Sequence, residues 1–122
     1  MDFYIRQGAS EPIIKMRLID DGKNDKSQFN DLLVNSQITF EMSDVKNGFP
    51  VILNGQCSLA LRTKKYQQTT DELYIIYQFS EEETSITGKF EGKFIIQFTD
   101  EEGNNTNKLI VPIREKLFIH VI

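Results

Sequence analysis

The chain has no tryptophan, one cysteine, one histidine and three prolines among its 122 residues. With Cys57 alone, no intrachain disulfide can form. Cys57 shares an apolar parity with Leu59 and Leu61, which reads as core packing and not as a catalytic thiol, since that would need a histidine and positive surroundings. The one histidine, His120, lies between Ile119 and Val121 with no nucleophile or ligand set near it in sequence, so a surface or rim position is expected. No apolar run approaches the ~20 residues that a membrane-spanning helix needs. The opening Met-Asp-Phe-Tyr-Ile-Arg has neither the positive n-region nor the apolar h-region of a signal peptide, so a complete product made in the cytosol is expected. Basic charge is also scarce: 14 Lys and Arg stand against 18 Asp and Glu, for a net charge of −4 and a pI of about 5.0. Such a chain is poorly suited to hold nucleic acid or an anionic membrane through a general field. The G-x-S-x-G, P-loop and zinc-ligand spacings are missing as well.

What is present is ordinary globular composition, with 39% hydrophobic and 26% charged residues. A single domain over residues 1–122 is expected, large enough to fold without staples. The strongest pattern runs from Thr87 to Thr99. Phe90, Gly92, Phe94, Ile96 and Phe98 share one parity, whereas Lys89, Glu91, Lys93 and Gln97 share the other, with Ile95 the only apolar residue among them. That period of two predicts a long strand with one buried face, through the centre of a sheet. Phe40, Leu59, Phe90, Phe94, Ile96 and Phe98 are the predicted core.

Other stretches repeat the alternation. Phe3 and Ile5 give a first strand, and Ile14, Met16 and Leu18 a second. Residues 26–35 are ambiguous and read as a loop with one helical turn. Ile38, Phe40 and Met42 give a third strand, and Val51 to Leu53 a short one ended by Asn54-Gly55, a hairpin signal. Cys57 to Leu61, Leu73 to Phe79, Leu109 to Ile113 and Leu117 to Ile122 follow. Ser80 and Glu83 have capping-box spacing. Asp100 to Asn107 reads as a hairpin, and Pro112 must sit at a strand end or edge. About eight short strands with turn signals at ~8–12-residue spacing, and no amphipathic helix, predict an all-β, Ig-like antiparallel β-sandwich with Greek-key connections.

Polar clusters give weaker signals. Asp20, Asp21, Asn24 and Asp25 lack calcium-loop spacing and read as a turn. Glu81-Glu82-Glu83 reads as a solvated loop, and Lys64-Lys65-Tyr66 is too short to argue nucleic-acid binding. Asn104-Asn105-Thr106 fits a glycosylation sequon but has no secretory signal to go with it. No catalytic, cofactor or metal residue is singled out, and the expectation is a protein that is not an enzyme.

Laid out in this way, the chain resembles the Ig-like domain at the N-terminus of phage baseplate upper proteins and related phage tail proteins. The family's first turn, Gly-Asp-Thr-x-Pro-like, corresponds to Gln7-Gly8-Ala9-Ser10-Glu11-Pro12, which lacks the Asp-Thr pair. Its Asp-Leu loop and Val-x-Phe-x-Met strand ending in Asp correspond to Asp31-Leu32 and Ile38-Thr39-Phe40-Glu41-Met42-Ser43-Asp44. Its Gly-x-Tyr-x-x-x-Phe strand corresponds to Gly88-Lys89-Phe90-Glu91-Gly92-Lys93-Phe94, with Phe for Tyr. Asp100, Gly103 and Pro112 complete the match.

The resemblance implies a structural protein of a tailed-bacteriophage virion, found in the virion and in the host cytoplasm during assembly. Its partners would be other virion proteins and copies of itself, with no cofactor, nucleic acid or membrane. Members often extend further at the C-terminus, so a chain ending at Ile122 is expected to be a baseplate, tail or fibre adaptor. The rival expectation is a carbohydrate- or ligand-binding sandwich, for which Tyr66, Tyr74 and Tyr77 are the candidate platform. The final strand, Leu117 to Ile122, is apolar on both parities and no charged tail follows it. An oligomer contact near the termini is therefore expected, at Phe3, Tyr4, Phe118 and Ile122.

Overall fold

A computed structural model of the chain describes residues 1–18, 36–62 and 72–122. Nine strands and no helix are found among them: β1 (Asp2–Ile5), β2 (Ile14–Leu18), β3 (Gln37–Asp44), β4 (Pro50–Gln56), β5 (Ser58–Arg62), β6 (Glu72–Tyr77), β7 (Gly88–Thr99), β8 (Asn105–Val111) and β9 (Leu117–Val121). They form two sheets. The larger runs β1-β9-β7-β3-β4, with β8 also paired to β7, and the smaller runs β2-β6-β5. The expected all-β sandwich is therefore the fold. The expected loop over residues 26–35 and the Asp20–Asp25 and Lys64–Tyr66 clusters lie outside the described residues.

The twelve-residue β7 organises the larger sheet, as its alternation predicts. One edge pairs antiparallel with β3, from Gln37 against Gln97 to Asp44 against Phe90. The other edge is shared: its first half takes β9 and its second half takes β8. Pro112 stands between those two strands, at a strand end, where a residue without an N–H breaks no ladder. Each described pairing is antiparallel except β1 with β9, which is parallel. Those two strands come from opposite ends of the chain, so no tight hairpin has to join them.

Inward side chains of the two sheets meet in one core. Phe40 lies at its centre, with ring centroids 4.7 Å from Tyr77, 4.9 Å from Phe94 and 5.8 Å from Phe79. Phe90, Phe94 and Ile96 are buried on β7, as are Ile38 and Met42 on β3. Leu59 and Phe98, also predicted as core, are half-buried and pack against its rim. Leu59 is on β5, an end strand of the smaller sheet, and Phe98 is near the far end of β7.

Asn54-Gly55 does not form the expected hairpin. Phe40 pairs with Gly55 and Met42 with Ile52, so β4 holds one extra residue there, a bulge. Asn54 takes φ 56°, in the left-handed region. The chain then continues and changes sheets at Cys57, whose N–H still donates to the Ile38 carbonyl at 3.2 Å. Gly55 is needed for space: a Cβ there would lie 2.7 Å from Cε2 of Tyr77.

The Ser80–Glu83 spacing does form a capping box. The Ser80 N–H donates to the Glu83 carboxylate at 2.8 Å, and the Glu83 N–H donates to the Ser80 hydroxyl at 3.3 Å. At the β7–β8 hairpin, Asp100 Oδ1 accepts from the N–H groups of Glu102 and Asn104 at 3.0 and 2.8 Å.

Candidate functional site

Three places on the sandwich carry polar or exposed side chains with chemical potential. The first is the outer face of β1, β9 and the start of β7. The parallel register sets Asp2 beside Phe118 and Tyr4 beside His120. His120 Nε2 and Asp2 Oδ1 are 2.8 Å apart, and the Tyr4 and His120 rings stack at 4.6 Å with 14° between planes. On the other side of β9, Lys89 Nζ lies 4.1 Å from the centroid of the Phe118 ring. The hydrogen bond from His120 holds the Asp2 carboxyl below its ordinary value, helped by the N-terminal amine and opposed by partial desolvation. The strand ends are also pinned through backbone. Phe118 N–H donates to the Met1 carbonyl at 2.9 Å, and Ile122 N–H donates to the Ile5 carbonyl at 2.9 Å.

This arrangement separates the four residues expected at a terminal contact. Phe3 faces inward, half-buried, with its ring 5.9 Å from that of Phe79. Phe118 is half-buried beneath Lys89. Tyr4 and Ile122 are open to solvent, at 57% and 63% exposure. The last strand is not an edge. It lies between β1 and β7, with Leu117, Ile119 and Val121 in the core. Among the described residues, the unpaired edge at this end of the sheet belongs to β1.

The second place is the turn after β6. The Tyr77 hydroxyl donates to Glu83 Oε2 at 2.7 Å, while the ring is buried against Phe40 and Phe79. Burial first, then the Glu83 hydrogen bond and charge, push the Tyr77 phenol well above its ordinary value. Thr84, fully buried, donates its hydroxyl to the Ala9 carbonyl at 2.8 Å. Gly8 N–H donates to the Thr84 carbonyl at 2.9 Å, so this turn fastens the β1–β2 loop. Its groups are engaged in holding the fold. Glu81 and Glu82 point to solvent and Glu83 inward, so the three acids do not converge. For the glycan platform, Tyr77 is buried, Tyr74 is half-buried, and Tyr66 lies outside the described residues.

The third place is the flank formed by β4 and β5. Cys57, at the crossing between them, is half-buried, and its Sγ lies 3.7 Å from the Gly55 carbonyl. Burial pushes the thiol up to about 12. On the strand before it, Val51 and Leu53 are exposed on either side of the buried Ile52, and Phe49 is exposed just ahead. Sequence reasoning missed this flank. The signal was available: no Asp, Glu, Lys or Arg occurs between Asn47 and Leu61.

Among the described residues, no group of three or more His, Cys, Asp or Glu side chains could hold a metal ion, and no helix is long and apolar enough to cross a membrane. No family model matches the sequence, and no curated protein or solved structure matches it.

Proposed function

We propose that this chain is a non-enzymatic structural protein of a tailed-phage virion, a baseplate, tail or fibre adaptor that acts through contacts with other virion proteins and with copies of itself. The observation that supports this best is the exposed apolar edge: Phe49, Val51 and Leu53 stand on or beside an end strand that, among the described residues, is paired on one side only. Such an edge is a template for another chain and is normally blunted by charge. The Cys57 thiol, held neutral by burial, also suits a role without nucleophilic chemistry. The resemblance to the phage baseplate domain supplies the particle in this reading, and the edge supplies the mode of contact.

A carbohydrate-binding module is the alternative, and one observation favours it. The Tyr4 ring is more than half exposed beside Asp2 and His120, a pairing of aromatic surface and hydrogen-bonding groups. Peptide mass spectrometry of purified phage particles tests the virion reading. The chain should remain with intact particles through density-gradient purification, in several copies each. Recovery only as free protein in the lysate would refute it, and glycan binding lost on Tyr4→Ala would then favour the alternative.

A further inference from the structure

We propose that Asn47 is a site of spontaneous covalent modification, at which the Gly48 nitrogen closes on the Asn47 side chain and converts its amide to an acid. The same dipeptide at Asn54-Gly55 is protected by the fold. This inference is independent of the function proposed above.

The chemistry is intramolecular. The nitrogen of the following residue attacks Cγ of the asparagine. The new N–C bond closes a cyclic imide, and the side-chain nitrogen leaves as ammonia with the proton that the attacking nitrogen gives up. Water then opens the imide at either carbonyl. One opening leaves aspartate. The other leaves isoaspartate, in which the main chain runs through the former side chain. Water is the only co-reactant, and nothing is oxidised or reduced. Glycine hinders the attack least, because it has no Cβ. Asn-Gly occurs twice in the sequence, at Asn47-Gly48 and Asn54-Gly55. Asn104, Asn105 and Asn107 are each followed by a larger residue.

The two pairs have opposite surroundings. Asn47 and Gly48 are exposed in the turn between β3 and β4. The Phe49 N–H donates to Asn47 Oδ1 at 2.9 Å, which closes a ring of atoms containing both Cγ of Asn47 and the Gly48 nitrogen. The reacting atoms are thus held on one small loop. The Phe49 N–H also faces the oxygen on which negative charge develops as the nitrogen adds. Nothing lies within 4 Å of where a Cβ on Gly48 would stand, so the imide has room. The Gly48 N–H donates to the Asp44 carbonyl at 2.8 Å and must first be released. In an exposed turn water can replace that bond, and local opening costs little.

Gly55 is confined by backbone and by packing. It pairs with Phe40 in the β3–β4 ladder, and Cys57 beyond it donates its N–H to the Ile38 carbonyl at 3.2 Å. A Cβ on Gly55 would lie 2.7 Å from Cε2 and 3.0 Å from Cζ of Tyr77. That ring is itself buried, with its hydroxyl on Glu83 at 2.7 Å. An imide at Asn54 would have to disturb both the ladder and the ring. The fold therefore directs the reaction to Asn47. Its product places a new carboxylate at the head of the stretch between Asn47 and Leu61, which otherwise holds no Asp, Glu, Lys or Arg.

Peptide mass spectrometry of the full natural chain, kept folded at mildly alkaline pH and sampled over days, tests the proposal. The Asn47 peptide should gain the mass of an amide-to-acid conversion and split into aspartate and isoaspartate forms. It should do so roughly tenfold or more faster than the Asn54 peptide. In urea, where both sets of surroundings are lost, the two peptides should convert at similar rates. Asn47→Gln, whose longer side chain cannot close the same ring, should abolish the early acidic form seen on ion exchange. If that variant misfolds, the ratio of the two sites in the natural chain decides. Asn54 converting as fast as Asn47 in the folded chain overturns the proposal. So does an Asn47 that stays intact in the folded chain while both sites convert in urea, or an early acidic form that persists in a folded Asn47→Gln chain.

Discussion

Gly92→Ala adds a single methyl group at a crowded point of the core. Gly92 lies on β7 opposite Met42 of β3 and Leu117 of β9. It is not among the glycines with positive φ, so its need for glycine is a matter of space. A Cβ there would lie 2.9 Å from Cζ and 3.0 Å from Cε2 of Phe40, and 3.4 Å from Cγ1 of Ile119. Phe40 is fully buried, with Tyr77, Phe79 and Phe94 around its ring, so it has little room to retreat. Overpacking of this kind costs about 1–3 kcal/mol. Alanine also restricts the unfolded chain, which returns about 0.4–1 kcal/mol. The expected net loss is roughly 1–2 kcal/mol, read as a lower urea midpoint at constant slope. Phe40→Leu should lower stability by itself but remove the atoms that the methyl meets. In that background Gly92→Ala should be neutral or stabilising, for a coupling of about 1–2 kcal/mol between the two sites. A Gly92→Ala protein as stable as the natural one would refute the reasoning, as would losses at the two sites that simply add.

Two further outcomes follow from the polar groups. Tyr77→Phe removes the 2.7 Å bond to Glu83 and should cost about 1 kcal/mol, because water can reach the half-buried carboxylate left behind. The same change should flatten the alkaline limb of stability. With its phenol pushed up in the fold, Tyr77 adds stability that is complete below ~10 and falls at higher pH, where the unfolded phenol ionises first. Urea titrations of both proteins between neutral and alkaline pH check both points, and an unchanged alkaline limb would count against the assigned cause. Cys57, pushed up to about 12, should react with a disulfide reagent far more slowly at mildly alkaline pH than after unfolding in urea. Equal rates in the two states would show that the thiol is not held as described.

The alternation on β3 and β7 was legible because each strand has one face on the core and one in solvent, so period two survives in the residue types. Phe40, Phe90, Phe94 and Ile96 were placed from parity alone, and the Ser80–Glu83 box from spacing alone. Asn54-Gly55 was not legible. A tight hairpin and a bulge both need a residue that accepts the left-handed region, and only the register against β3 distinguishes them. Nor can alternation say that Leu59 lies at the rim of the core, because burial there depends on which strand ends the smaller sheet. The parallel pairing of β1 with β9 joins opposite ends of the chain, and no local signal carries it.

That pairing also decides where the apolar surface of a two-sided strand is covered. β9 and β4 carry the same local signature, apolar side chains on both parities. In β9 the second face holds Phe118 and His120, and in β4 it holds Val51 and Leu53. The signature states only that a strand has more apolar surface than one sandwich face can cover. Where the excess is covered depends on neighbours. β9 has a strand on each side, Lys89 over Phe118, and Tyr4 stacked on His120, so its outer face is largely covered within the chain. Among the described residues β4 has only β3 beside it, and its outer apolar residues remain in solvent. At about 25 cal/mol per Å² of apolar surface, leaving such a row wet forgoes stabilisation that a partner strand would recover. Two-sided apolarity on an end strand is thus the more informative of the two cases, and it adds β4 to the places where contacts should be sought.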